Sequence, residues 1–176
     1  MPISKQSDKT NEANRKASRL VPPVRYDTDA FTERIESLMA GGEHRTGTCF
    51  LFYGGTREER QQALSTLTRY ATGNIHQFRM PSLLSEYRMQ TQNSLRKAFD
   101  HASEESALLY FDRVDPLFTH VHADAPDNPE KHAAPTTLEY FFDRVEAYTG
   151  VVVLGLQRKS HVEWAQDKAN LVVQFE

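Results

Sequence analysis

The chain has 176 residues, 39% of them hydrophobic and 26% charged, with a formal net charge of -3. That is enough apolar material for one domain with a buried core, and the slightly acidic balance lacks the Lys and Arg excess of a nucleic-acid binder. A single cysteine excludes an internal disulfide, and no apolar run approaches the roughly 18 residues of a membrane helix, so a cytoplasmic protein that binds neither nucleic acid nor membrane is expected.

Residues 1–24 are polar, hold more Lys and Arg than acids and end in "VPPV", which predicts a disordered basic arm leading into an extended segment. The folded domain is expected over 25–176. In "DTDAFTERIESLMAGG", Phe31, Ile35, Leu38 and Met39 share one helical face between a cap-rich acidic start and a Gly-Gly stop. The apolar run "CFLFY" from Cys49 predicts a strand with an inert, buried thiol. A helix over about 57–72 follows, with Ala63, Leu64, Leu67 and Ala71 inward.

The alternation continues. "IHQFRM" predicts a strand, "SLLSEY" a short helix, "TQNSLRKAFDHASEE" a helix through Leu95, Ala98, Phe99 and Ala102, and "ALLYF" a strand. Residues 119–135, rich in Pro, Asp and Ala and without periodicity, predict a mobile surface loop. Its His120, His122 and His132 match no common zinc spacing, and no metal site is expected. "TTLEYFFDRVEAYTG" is then a helix with Leu138, Phe141, Phe142 and Val145 inward, and "VVVLGL" and "LVVQF" are two further strands. Strands that are apolar throughout, separated by amphipathic helices, imply a parallel sheet covered on both faces.

Four phrases carry chemistry: "FLFYGG", "SEYRMQTQNSLRKAFDHA", "ALLYFDRVDPLF" and "VVVLGLQRK". In their order and spacing they resemble the Walker A strand, the pore-loop region, the Walker B strand and the sensor 1 strand of a AAA+ ATPase core, over about residues 48–175. The resemblance implies a three-layer α/β, P-loop NTPase-like fold with a five-stranded parallel sheet in the order 5-1-4-3-2. Carried over residue by residue, the family's nucleotide site is altered. Gly54 matches the first Walker A glycine, but Glu59 falls on the second, Arg60 on the lysine and Gln61 on the magnesium-binding hydroxyl. Asp112 matches the Walker B aspartate, whereas Arg113 replaces the water-activating glutamate and a guanidinium is no base at neutral pH. Gln157 replaces the sensor 1 asparagine, no arginine finger follows in this stretch, and no helical lid is expected.

The substitutions also have a local reading. Thr56 and Glu59 form T-x-x-E, a capping box, so α-helical N–H groups that would attract a phosphate receive an anion from the chain itself. Each added carboxylate opposes a triphosphate by about 1 kcal/mol at 4 Å in water. Family geometry brings Arg60 and Asp112 to one pocket, where they are expected to pair. The doubtful nucleotide site is therefore Gly54, Gly55, Thr56, Arg60, Gln61, Asp112 and Gln157, with no catalytic residue and no cofactor expected. Tyr87, at the place of the pore-loop aromatic, is a candidate protein contact.

The expected function is a non-catalytic AAA+-like module that binds or regulates a protein, such as a AAA+ ring or a second copy of itself. The alternative is an ATP-binding AAA+ ATPase with a divergent P-loop, active only in an oligomer and using ATP and magnesium.

Overall fold

The computed structural model describes residues 23–39, 47–69, 74–124 and 136–175. Residues 1–22 of the predicted 1–24 arm, the Gly-Gly stop at 41–42, the end of the second helix and the 125–135 part of the predicted loop lie outside the described residues.

Among the described residues, six parallel strands form a single sheet: β1 (Val24–Arg25), β2 (Thr48–Tyr53), β3 (Ile75–Arg79), β4 (Leu108–Asp112), β5 (Val151–Leu156) and β6 (Leu171–Gln174), in the order β1-β6-β2-β5-β4-β3. This corrects the expected five-stranded sheet. The sixth strand is two residues that pair Val24 with Val173 and Arg25 with Gln174, too short to leave a period in the sequence. Its neighbour Tyr26 stacks on Phe175 at 4.8 Å, which fixes the edge by ring packing as well as by backbone pairing.

The helices are α1 (Asp29–Met39), α2 (Arg57–Thr68), α3 (Met80–Leu83), α4 (Arg88–Glu104), α5 (Asp115–Thr119), α6 (Thr137–Ala147) and α7 (Lys159–Ala165). Side chains on successive strand residues point to opposite faces, and the two faces build two separate cores. On one, Phe50, Phe52, Val153 and Val173 pack with Phe31 and Ile35 of α1 and Ala63, Leu64 and Leu67 of α2. On the other, Cys49, Leu51, Phe111 and Leu154 pack with Leu95 and Phe99 of α4, Phe141 of α6 and Val162 of α7. The sheet is thus flanked by helices on both sides, as the almost wholly apolar strands β2, β4 and β5 require.

Cys49 is fully buried and its thiol is pushed up to about 12 by burial, so it stays protonated and serves as a small apolar filler. Residues 119–124 of the predicted loop are fastened down. Thr119 closes α5, Ala123 N–H donates to Glu86 O at 2.7 Å, and His122 is buried with its Nδ1 on Ser85 O at 3.2 Å and its Nε2 at 2.7 Å from Thr137 Oγ1. No helix among the described residues is long and apolar enough to cross a membrane.

Candidate functional site

The strand β2 lies between β5 and β6, and its C-terminal end delivers the chain into a turn at Gly54 and Gly55, with φ of +75° and +76°. Both residues must be glycine-like for that reason. At Gly55 the space is closed as well: an added Cβ would stand 2.3 Å from Phe175 Cβ. The turn is held by its neighbours, Gly54 N–H donating to Leu156 O at 3.2 Å and Phe175 N–H to Tyr53 O at 3.0 Å.

Helix α2 starts directly after it. Thr56 Oγ1 accepts from Glu59 N–H at 3.3 Å, and Glu59 Oε2 accepts from Thr56 N–H at 2.7 Å, a complete capping box. Two of the N–H groups that a helix start offers an anion are therefore engaged by the chain's own oxygens.

One turn later Arg60, 8% exposed, folds back over the loop. Its Nη1 donates to the carbonyls of Gly54 and Gly55, each at 3.1 Å, and its Nη2 lies 3.8 Å from Asp112 Oδ1. The planar fork of a guanidinium can make these contacts together, which a lysine ammonium on a thin stem does less well. Asp112 Oδ1 also accepts from Tyr110 OH at 3.1 Å and Arg113 N–H at 3.0 Å. Burial, and then the Asp112 charge, push the Tyr110 phenol up, which keeps it a donor to that carboxylate.

Beside this cluster opens a pocket of about 350 Å³ lined by Arg57, Arg60, Gln61, Gln77, Phe78, Arg79, Tyr110, Asp112 and Arg113. It sits at the C-terminal ends of β3 and β4, the side of a parallel sheet where ligands are usually received. Gln61 spends its amide on Gln77, Nε2 to Oε1 at 3.0 Å. Asp112 is the one acid of the lining and Arg60 already faces it, so Arg57, Arg79 and Arg113 leave the pocket positive. Among the described residues the lining has no Ser, Cys or His and its one carboxylate faces Arg60, so the charge of the pocket suits an anion.

The predicted site residues divide. Gly54, Gly55, Thr56, Arg60, Gln61 and Asp112 come together around the turn and the pocket. Gln157 does not line the pocket; its side chain is exposed and its N–H donates to Asp115 Oδ2 at 2.8 Å. Tyr87 is also elsewhere, preceding α4 and 48% exposed, two residues before Met89, which is 61% exposed.

Two features were not legible in advance. Arg79 ends β3, Arg113 follows β4 and Arg57 opens α2; an arginine at each of three strand or helix ends on one side of the sheet is the signal that would have found them. The other is Asp115, whose Oδ1 accepts from Arg158 N–H at 2.9 Å and lies 2.8 Å from His161 Nδ1, while the His161 ring stacks on Phe118 at 4.2 Å and 5°. This joins the segment after β4 to the segment after β5 across 46 residues of chain, a distance at which no local pattern operates. No family model and no curated protein matches the chain.

Proposed function

We propose that the chain is a non-catalytic AAA+-like domain that acts as a protein-binding or regulatory module. The observation that carries this reading is the position of Arg60: its guanidinium occupies the turn, on the carbonyls of Gly54 and Gly55 and facing Asp112, while Glu59 occupies the N–H side. Phosphate cradles work by leaving such groups open to ligand. Further support comes from the run β6-β2-β5-β4-β3 within the sheet, which has the neighbour relations expected of the resembled core once β1 is set aside as an added edge. In this reading the intact scaffold serves recognition, and the positive pocket receives acidic side chains of the partner.

The test has two arms. Calorimetry with ATP and magnesium is expected to give no binding heat. Affinity capture from the native cell is expected to retain a partner on the wild-type chain and lose it on an Arg57→Ala, Arg79→Ala, Arg113→Ala triple variant. A chain that is monomeric and without a partner in both forms contradicts the reading.

One observation favours a second reading, an ATP-binding ATPase completed by a neighbouring subunit. The same three arginines would complement a polyphosphate as well as they complement carboxylates. Micromolar affinity for ATP, with turnover that rises with protein concentration, would establish it.

A further inference from the structure

A second cluster lies away from the turn, at the outer edge of the sheet. β3 is the last strand in the order, and His76 projects from its second position; His101 and Glu105 stand four residues apart at the end of α4. One ligand atom from each of the three comes within 4.8 Å of the others. His76 Nε2 and Glu105 Oε2 are 2.7 Å apart, and the two imidazole rings have centroids 5.0 Å apart. Donors bound tetrahedrally at about 2.0–2.2 Å stand roughly 3.3–3.5 Å from one another. The side chains that must move to reach that spacing are the exposed ones, His101 at 63% and Glu105 at 47%, while His76, at 14%, supplies the fixed point.

The electrostatics of this corner point the same way. A helix C-terminus carries a partial negative charge and ordinarily attracts Lys or Arg in its last turn. α4 instead ends in Glu104 with Glu105 as its C-cap, and His101 is the basic residue of that turn. Glu104 Oε2 is 4.0 Å from His101 Nδ1. Two carboxylates concentrate negative charge at the negative end of a 17-residue helix, and a divalent cation held by Glu105 and the imidazoles would offset it.

We propose that His76, His101 and Glu105 form a binding site for a divalent transition-metal ion of the zinc type, which clips the edge strand β3 to the C-terminal end of α4. Mixed imidazole and carboxylate donors select such ions over calcium or magnesium, which take oxygen ligands. Three protein donors leave a fourth position for water. The inference does not depend on the AAA+-like reading, since neither the turn nor the pocket contributes a ligand.

The test is zinc titration of the full chain by calorimetry, with melting temperature read in zinc and in chelator. The wild type is expected to bind one zinc ion and to melt at a higher temperature in zinc, the increment disappearing on chelation. His101→Ala and Glu105→Gln alter exposed side chains and should fold normally without metal, but their zinc affinity should fall by at least about tenfold and the melting shift should vanish. A wild type without zinc binding overturns the proposal. So does binding that is unchanged in both variants, which would locate the ion at other histidines.

Discussion

Helices α2 and α6 begin with the same four-residue device. In α2, Glu59 N–H donates to Thr56 Oγ1 at 3.3 Å and Thr56 N–H to Glu59 Oε2 at 2.7 Å; in α6 the pair is Thr136 and Glu139, at 3.2 and 3.0 Å. α2 follows a central strand and two residues with positive φ, and it places a buried guanidinium directly after the Glu of its box, where α6 has the partly buried Tyr140. The capping box is therefore a way to start a helix and says nothing of a ligand. What sets the α2 turn apart is Arg60, which ties the loop to Asp112 and closes it from the side opposite the cap.

The comparison can be broken at the backbone first. Gly55→Ala forces a Cβ into Phe175 at a φ of +76° and should cost about 3 kcal/mol or more in denaturant unfolding, with no counterpart in α6. A loss under about 1 kcal/mol would mean that the turn relaxes easily. Arg60→Ala comes next. It removes two bonds to carbonyls and leaves Asp112, 22% exposed, with Tyr110 and Arg113 as its partners among the described residues, so a loss of about 2–3 kcal/mol is expected, part of it recovered by Arg60→Lys. Unchanged thermal stability would show that the pair at 3.8 Å contributes nothing. The caps sharpen the comparison: Thr56→Ala and Thr136→Ala should each cost about 1 kcal/mol and differ by no more than about half of that. A much larger cost at Thr56 would assign the α2 cap a role beyond starting its helix.

The smallest effect is on pH dependence, and it belongs to the α6 side. His122 has its pKa lowered from 6.5 by burial and then by the neighbouring His120, which outweigh the opposing effect of its Nδ1 hydrogen bond to Ser85 O; its Nε2 lies 2.7 Å from Thr137 Oγ1. A base with a depressed folded pKa contributes stability above the unfolded value and loses it as pH falls, because the unfolded chain takes up the proton first. Stability should decline from about pH 6.5 downward, before the carboxylates titrate, and His122→Gln should flatten that part of the curve. An identical decline in the variant would assign the effect to another group.

How far the sequence announces this structure follows from the range over which each signal acts. The four central strands and the helices that cover them are legible because apolar runs and periodic faces are local patterns, seen in "CFLFY" and in Leu95, Ala98, Phe99 and Ala102. β1 escapes notice because two residues carry no period, and α5 and α7 because five and seven residues do not complete an amphipathic repeat. His122 lies in a stretch whose composition suggests only solvent, and its burial is decided by Ser85 and Thr137, 37 and 15 residues away. The same limit applies at the site. T-x-x-E at Thr56 is visible as text, whereas the ion pair of Arg60 with Asp112 and the meeting of Arg57, Arg79 and Arg113 at one pocket depend on the order of strands in the sheet.

The central claim is that the chain's own Glu59 and Arg60 fill the turn after β2. Calorimetric titration of the full chain with ATP and magnesium tests it most directly. No binding is expected at millimolar nucleotide, in the wild type and in Arg60→Lys alike, because the Glu59 carboxylate remains on the helix start in both. Saturable micromolar binding to the wild type would contradict the account.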